Sequence, residues 1–306
     1  MHVLNTLAPV FVVIALGALL RRGGFFSANF LRELNRAVYW VALPALLFGK
    51  IAAAPRLGVQ AGESFAIALA GTIAAVVVGL AVAAVLRVPG RSVGTFVQAS
   101  FRGNLAYVGL PVVLHAFAGD PQAETLALLA LAPLVPIYNV VAVVVLLSSR
   151  HKLSRSALGK MLLQIATNPL LLACLAGLAV SAAGLKLPVA AGRTLDVLAG
   201  MTLPAALLAV GGALVGARIR GRVLQSASAA VIKLAVAPAV GLSMAYLLGA
   251  GRQETFVGLI LLACPTAVAS HVLADQLGGD GDLSAATIAL TTVLSIVPLT
   301  VIVAVL

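Results

Sequence analysis

The chain has 306 residues, of which 62% are hydrophobic and 9% are charged, and its net charge is +11. Soluble domains are about 45–50% apolar and about 25% charged, so this composition excludes an ordinary soluble enzyme, a disordered chain and, despite the basic charge, a nucleic-acid-binding protein. The apolar runs are long and unbroken, which argues against an outer-membrane barrel, whose strands alternate within segments of about 10 residues.

Apolar runs separated by polar breaks predict ten transmembrane helices, because a helix needs about 20 apolar residues to cross a bilayer. In chain order they cover residues 4–20, 36–54, 65–86, 93–117, 124–147, 158–182, 195–215, 224–248, 254–276 and 284–305. The connecting loops are short and leave no room for a soluble domain. The predicted fold class is an all-α polytopic membrane protein.

The distribution of Lys and Arg predicts the orientation of the chain. Loops after odd-numbered spans carry thirteen of these residues, and loops after even-numbered spans carry five. Cytoplasmic loops carry the excess of positive charge, so we expect the odd-numbered loops to be cytoplasmic and both termini to lie outside the inner membrane. The basic loops are expected to attract anionic membrane lipid rather than nucleic acid.

The sequence offers little for metal or cofactor chemistry. Cys174 and Cys264 both lie inside apolar runs, and no metal-ligand cluster or nucleotide-binding loop is seen. The pattern Asp280-Gly281-Asp282 is too short for an EF-hand loop. We therefore expect no metal, no cofactor and no ATP-driven transport by this chain alone.

An internal repeat relates the two halves of the chain at a shift of 160 residues. The shift aligns Pro9 with Pro169, Gly17 with Gly177, Leu43-Pro44-Ala45 with Leu203-Pro204-Ala205, Thr95-Phe96-Val97 with Thr255-Phe256-Val257, and Gly119-Asp120 with Gly279-Asp280. Each half contains five predicted spans, an odd number, so the second half enters the membrane from the opposite side. This predicts two inverted five-helix repeats, over residues 1–147 and 158–306, joined by a short cytoplasmic linker at 148–157.

Inverted repeats are typical of secondary transporters, which hold their substrate near the midplane between discontinuous helices. Span four carries Gly103-Asn104 and Gly109-Leu110-Pro111, and span nine carries Cys264-Pro265-Thr266. Proline removes a backbone donor and clashes with the preceding turn, so we expect both spans to be broken by these prolines and to cross at the midplane. The alternative is a pair of simple proline kinks.

An ordered set of motifs runs through nearly the full length of the chain. The motifs are Gly17-Ala18-Leu19-Leu20-Arg21-Arg22, Leu34-Asn35-Arg36, Leu43-Pro44-Ala45-Leu46-Leu47, Asn104-x4-Gly109-x-Pro111, Asn168-Pro169, Pro204-Ala205-Ala206-Leu207-Leu208, Pro265 and Thr292-x2-Ser295-x2-Pro298. In this set the chain resembles the auxin efflux carrier family, which includes the plant PIN-formed auxin carriers and bacterial carriers of malonate and malate. The resemblance implies ten helices in two inverted repeats, crossed fourth and ninth helices, elevator-like movement of a transport domain against a scaffold, and a homodimer.

Asn104 is the first candidate for substrate binding. By the family motif it matches the crossover asparagine that contacts the substrate carboxylate in plant members. A neutral amide offers two donors, and half-helix N-termini add partial positive charge for an anion. The alternative is an amide that only satisfies backbone freed by Pro111. Gly109, Pro111, Pro265 and Thr266 are predicted to belong to the same substrate site.

Two cationic residues lie inside predicted spans. Arg102 lies about ten residues into span four, a depth at which a charge is a functional candidate. Its guanidinium suits a carboxylate; alternatively, it reaches the cytoplasmic surface along its long stem. Lys233 in span eight either neutralises substrate or pairs with carbonyls at a helix C-terminus and stabilises the fold.

His271 and Asp275 are spaced i, i+4, so they share one helical face. Histidine titrates near neutral pH, which makes the pair a candidate for proton coupling and His271 a candidate for substrate contact. Alternatively, Asp275 is simply hydrated near the following loop. A hydrolase triad with Ser270 is disfavoured, because adjacent side chains on a helix point in different directions.

The predicted function is secondary active or facilitative transport of a small organic anion, such as an auxin-like acid or a dicarboxylate. The alternative is a sodium-coupled solute symporter of the related bile-acid-symporter-like fold, or a cation antiporter, which should place carboxylates at the crossover. An intramembrane enzyme would need a metal set or a catalytic pair within the membrane, and a passive channel is disfavoured by the inverted repeat.

Overall fold

The computed structural model describes residues 2–53, 60–149, 159, 163, 166–215 and 223–305. Within these ranges every regular element is helical apart from one isolated β-bridge, so the predicted all-α class is confirmed. Most of the predicted linker 148–157 and of the basic loop at 216–222 lies outside the described residues. The helices are α1 His2–Arg22, α2 Ala28–Ala37, α3 Leu43–Ala53, α4 Gln60–Val85, α5 Gly90–Phe101, α6 Leu110–Ala116, α7 Pro121–Ser148, α8 Pro169–Ala182, α9 Val189–Gly200, α10 Thr202–Leu214, α11 Val223–Val231, α12 Ala237–Leu248, α13 Arg252–Ala263, α14 Ala269–Gln276, α15 Gly281–Leu294 and α16 Ile296–Val305.

Seven continuous helical segments in the described residues are long and apolar enough to cross a membrane. They are Asn5–Arg22, Ala28–Ala53, Gly62–Val85, Pro121–Ser148, Val189–Leu214, Val223–Leu248 and Gly281–Val305. Predicted spans four and nine are absent from this set because each is interrupted. Most of the first part of predicted span six, at 158–165, lies outside the described residues, and its described helix is Pro169–Ala182.

The second segment begins eight residues before the predicted span. Ser27 caps it by accepting a hydrogen bond from the backbone N–H of Phe30, as Ser commonly does at a helix start. The first turns carry Arg32, Glu33 and Arg36, which lowered the local hydropathy and hid the start. The helix therefore continues beyond its apolar part.

Three π-helical turns interrupt the α-helices, at Val38–Ala42, Leu105–Gly109 and Ile232–Val236. A proline follows each turn two residues later, at Pro44, Pro111 and Pro238. Because proline has no N–H to offer the carbonyl four residues earlier, the ladder widens locally to an i→i+5 bond, such as Leu110 N to Leu105 O. The expectation that Pro111 breaks span four is therefore wrong: the helix continues through it.

The break in span four lies earlier, at Arg102–Asn104, between α5 and the helical segment Leu105–Ala116. The break in span nine lies between α13 and α14, at residues 264–268. The two breaks pair as a short antiparallel bridge: Asn104 N donates to Pro265 O at 2.7 Å, and Ala267 N donates to Arg102 O at 2.9 Å. A broken helix leaves backbone groups that lipid cannot satisfy, and here each break satisfies the other.

Candidate functional site

A cavity of about 780 Å³ lies beside this crossover. Its wall comes from residues 35–43 of the second segment, 102–107 and 267–276 of the two breaks and their following helices, 135–143 of α7, and 167–170 at the start of α8. Aromatic rings of Tyr39, Trp40, Tyr107 and Tyr138 line it together with aliphatic side chains. Such a wall, apolar with a few placed polar groups, is typical of a small-molecule site.

Arg102 follows the last turn of α5 and is only 8% exposed. One terminal nitrogen, Nη2, donates to Oδ1 of Asn139 on α7. The other, Nη1, is buried and has no hydrogen-bond partner in the part of the chain that the structure describes. A buried donor without a partner costs about 1–3 kcal/mol. The guanidinium is therefore positioned by its Nη2 bond, while Nη1 remains available to a ligand.

Asn104 is 6% exposed and precedes the helical segment Leu105–Ala116. Its backbone serves the fold: the carbonyl accepts from the N–H groups of Val108 and Gly109, both at 3.0 Å. Its side-chain Nδ2 is buried and finds no hydrogen-bond partner among the described residues. The amide donor is therefore not used to satisfy backbone, which was the alternative interpretation of this residue.

The charge of the cavity has one sign. Its lining, as far as the structure describes it, contains Arg102 and, at the rim, Arg36, and it contains no Asp or Glu. The first residues of two helices, Leu105 and Ala269, also belong to the wall. Helix N-termini carry partial positive charge, so these ends and the guanidinium together favour an anion.

The remaining residues predicted for the substrate site shape the crossover instead of lining the cavity. Gly109 and Pro111 are buried, and an added Cβ at Gly109 would lie 3.1 Å from the Leu261 side chain. Pro265 supplies the carbonyl that Asn104 N contacts. Thr266 is fully buried; its N–H donates to Thr291 Oγ1 at 3.1 Å and its hydroxyl donates to a carbonyl of α5 at 2.8 Å.

His271 and Asp275 do lie together, with Nε2 and Oδ2 3.5 Å apart, but they are not among the residues that line the cavity. Their side chains are 42% and 57% exposed. The residues of α14 that line the cavity include Ala269, Val272, Leu273 and Gln276, whose i, i+3, i+4, i+7 spacing defines a different face of the helix. The structure therefore does not bring this pair into the cavity.

Lys233 lies in the third π turn and is fully buried. Its Nζ donates to the carbonyl of Leu262 in the last turn of α13. An added Cβ at Gly103 would lie 3.3 Å from this Nζ and 2.9 Å from Sγ of Cys264. Of the two interpretations of Lys233, the structure supports pairing with a helix C-terminus.

Several polar residues of the wall were not predicted as site residues, among them Tyr39, Tyr107, Asn139 and Asn168. Asn168 belongs to the Asn168-Pro169 motif, but an Asn before a proline also suits a helix cap. Asn139 lies three residues after Pro136, where a polar side chain also suits a local bond to the backbone. Neither Tyr39 nor Tyr107 is one of the named motif residues or of the residues matched in the internal repeat described above. A π turn, which often accompanies function, would have pointed to both, but it is visible only in the structure.

Two comparisons with known proteins bear on this site. The sequence model of a family described as "Membrane transport protein" matches residues 2–303. A protein of Rhizobium meliloti (strain 1021) named "Putative malonate transporter" is 27% identical over 299 residues, covering 95% of this chain and 92% of that protein.

Proposed function

The chain belongs to the membrane transport protein family, that of the auxin efflux carriers, and on this premise we propose that it moves a small organic anion across the cytoplasmic membrane. The resemblance drawn from the sequence motifs is thereby confirmed. The family and the relative are both named for transport, not for an enzymatic reaction.

One observation carries the choice of an anion. Arg102 Nη1 and Asn104 Nδ2 are buried, unpartnered donors on residues that line one cavity, and its described lining has no carboxylate. Carboxylates accept hydrogen bonds from amides and guanidinium forks. Since the similar protein of Rhizobium meliloti is named for malonate, malonate is the first substrate to test.

A sodium-coupled symporter or cation antiporter is the alternative. Sodium ions are bound by oxygen atoms, and an antiporter needs a carboxylate that exchanges its cation. Neither Asp nor Glu is present in the described cavity wall, and a buried guanidinium is. This electrostatic setting favours the anion carrier.

Contacts that repeat at the 160-residue shift support the proposal of two inverted repeats. Gly17 of α1 packs against the backbone of Leu208 in α10, and Gly177 of α8 packs against the carbonyl of Phe48 in α3. Adding 160 to Gly17 gives Gly177, and subtracting it from Leu208 gives Phe48. In each pair a glycine allows two helices to approach closely. The contact that the first half makes with the second is thus repeated when the equivalent residues of the two halves are interchanged.

A second pair of contacts follows the same exchange. Asp120 caps α7 and also accepts from Nε2 of Gln253 at 2.6 Å, near the start of α13. Asp280 caps α15 and accepts from the hydroxyl of Ser92 at 2.7 Å, near the start of α5. Each half thus ties its last segment to the interrupted helix of the other half, as two interlocked inverted repeats require.

The position of the cavity supports alternating access. With the orientation predicted from the charge distribution, the ends of the lining helices near Asn35, Val143 and Gln276 face the cytoplasm. At the opposite side Lys50 Nζ and Glu124 Oε2 form an ion pair of 2.7 Å between α3 and α7. We therefore interpret the structure as an inward-facing state whose outer side is closed.

The elevator and homodimer parts of the proposal rest on one exposed surface. Helix α9 has no buried residue, although it lies in the span Val189–Leu214. Asp196 is exposed on it, and a carboxylate in a membrane span costs about 2.5–3.5 kcal/mol at the helix centre. A second copy of the chain against this surface would cover it and provide a fixed scaffold; light scattering in detergent measures that mass.

The experiment is calorimetric titration of disodium malonate into the purified, monodisperse protein, followed by uptake of labelled malonate into proteoliposomes. We expect Asn104→Ala to weaken binding roughly tenfold to hundredfold, the equivalent of a lost hydrogen bond to a charged group. Thr167→Ala is the matched control, because Thr167 lines the cavity but its hydroxyl donates to Leu163 O at 2.8 Å.

Three results would contradict the proposal. Failure of the folded wild type to bind malonate, malate, succinate and indole-3-acetate would refute an organic-anion substrate. Equal malonate affinity of Asn104→Ala and wild type would refute the site. Uptake that disappears when sodium is replaced by choline would favour the sodium-coupled alternative.

A further inference from the structure

Tyr39 lies in the first π turn and is half-buried in the cavity wall. Its ring contacts that of Trp40 edge to face, with centroids 5.6 Å apart. Arg102 lines the same cavity. Because Tyr39 belongs to the segment Ala28–Ala53 and Arg102 to the crossover, the two residues are contributed by different parts of the fold.

The orientation of the Asn168 amide is determined by its role as a helix cap. Its Oδ1 accepts from the N–H groups of Leu170 and Leu171 at 2.9 and 3.1 Å. The oxygen is therefore committed to the start of α8, and the Nδ2 group faces Tyr39, with 3.4 Å between Nδ2 and the phenolic oxygen. An amide nitrogen only donates, so the phenolic oxygen is the acceptor in this bond.

The proton of the Tyr39 hydroxyl is consequently left for another acceptor, and none is found among the residues that the structure describes. The other two cavity tyrosines differ in this respect. Tyr107 donates to Asn35 O at 3.2 Å. Tyr138 donates to Thr72, 2.9 Å away, because the Thr72 hydroxyl proton is already given to Ala68 O.

We propose that Tyr39 is a specificity-determining donor that gives its hydroxyl proton to the substrate anion, and that Asn168 is the positioning residue that keeps this proton directed away from α8. The inference rests on the proposed function and adds a third donor to those of Arg102 and Asn104. A substrate held in this way touches both the crossover and the segment Ala28–Ala53. Neutral molecules of the same size would not satisfy these donors as well as a carboxylate.

The test uses malonate titration of the full-length protein in detergent. Tyr39→Phe keeps the ring and removes only the hydroxyl, and we expect malonate affinity to fall at least about tenfold. Asn168→Asp keeps an oxygen that caps α8 but replaces the amide donor with an acceptor. The Tyr39 hydroxyl group then rotates to donate its proton to residue 168 instead of to the substrate. We expect a similar loss of affinity without a loss of thermal stability.

The double variant of Tyr39→Phe and Asn168→Asp separates the positioning role of Asn168 from repulsion of the anion by the new carboxylate. With Tyr39→Phe in place there is no proton to turn, so we expect Asn168→Asp to have no further effect on affinity. A further loss in the double variant would mean that the new carboxylate simply repels the anion, and would overturn the role of Asn168. Tyr246→Phe is the control, because Tyr246 is exposed and is not among the residues that line the cavity, and its affinity should match wild type within about twofold.

Unchanged affinity in a folded Tyr39→Phe protein would overturn the inference. This result is distinguishable from failure of the proposed function. If wild type binds malonate and Asn104→Ala does not, the anion site stands while Tyr39 is excluded from it. If wild type binds no carboxylate, both proposals fail together.

Discussion

Arg102 and Lys233 are two buried cations beside the same crossover, and their surroundings differ. Lys233 is fully buried, bonded to the Leu262 carbonyl and close to Gly103. Arg102 is 8% exposed and lines the cavity, and its Nη1 has no partner within the described ranges. Both occur deep in predicted spans, so sequence position alone gives them the same functional weight.

The difference separates a cation that stabilises the crossover from one to which the proposed function assigns ligand binding. A cation whose donor meets the carbonyls of a helix C-terminus stabilises that end. A cation with an unused donor at a cavity wall is stabilised further only when a ligand or water arrives. Substitutions at the two positions should therefore affect two different measurements.

The largest expected effect is on folding, from Lys233→Glu. A carboxylate at this position would lie buried against the Leu262 carbonyl, and an uncompensated buried charge costs about 3–5 kcal/mol. We expect loss of the monodisperse species in size-exclusion chromatography. Lys233→Met, which leaves only an unsatisfied carbonyl, should lower stability by about 1–3 kcal/mol. A Lys233→Glu protein as thermostable as wild type would contradict the structural role.

Arg102→Met should affect binding instead. It removes a charge-assisted hydrogen bond worth about 1.5–3 kcal/mol, so malonate affinity should fall roughly tenfold to hundredfold. Thermal stability should change little, because the loss of the Nη2 bond to Asn139 is offset by removal of the buried Nη1, which has no partner among the described residues. The comparison fails if Arg102→Met and Lys233→Met reduce malonate affinity per folded molecule equally.

Gly103→Ala tests the packing between the two cations. The added Cβ would meet Cys264 Sγ at 2.9 Å and Lys233 Nζ at 3.3 Å, and overpacking of this kind costs about 1–3 kcal/mol. We expect a lower melting temperature that Cys264→Ala partly restores, since it removes the sulfur. Additive destabilisation in the double variant would show that the sulfur contact is not the cause.

The smallest effect is expected at His271. Exposed ion pairs are worth about 0–1 kcal/mol, and the pair with Asp275 is not part of the cavity lining, so His271→Ala should leave stability and malonate binding nearly unchanged. If the pair carries protons, the variant loses stimulation of uptake by an imposed pH gradient. Full stimulation in His271→Ala proteoliposomes would exclude proton coupling through this pair.

The orientation of the molecule can be tested independently. Glu33 and Lys186 are exposed and lie on the sides predicted to be cytoplasmic and external, respectively. In intact cells a cysteine at position 186 should react with an impermeant thiol reagent, and one at position 33 should not. The two native cysteines are buried and give little background. The reverse labelling pattern would invert the inferred inward-facing state.

Much of the fold was predictable because apolar length is a local property. Seven of the ten predicted spans appear as long helical segments in the described residues, and the interruption of spans four and nine was expected from Asn104, Pro111 and Pro265. The cause of the interruption was not predictable. Pro111 was assigned the break, yet its missing N–H is accommodated by a π turn, while the chain opens at Arg102–Asn104.

The sequence by itself determined that this is a helical membrane protein of a transporter family, because composition, hydropathy and motif order are properties of the chain alone. It also pointed to Asn104 and Arg102, both of which line the cavity. Only the tertiary structure separated Arg102 from Lys233 and joined Asn168 to Tyr39, residues 129 positions apart. It also assigned His271 to a face away from the cavity. Each of these outcomes depends on which donor finds an acceptor across helices, and that pairing exists only after the helices have packed.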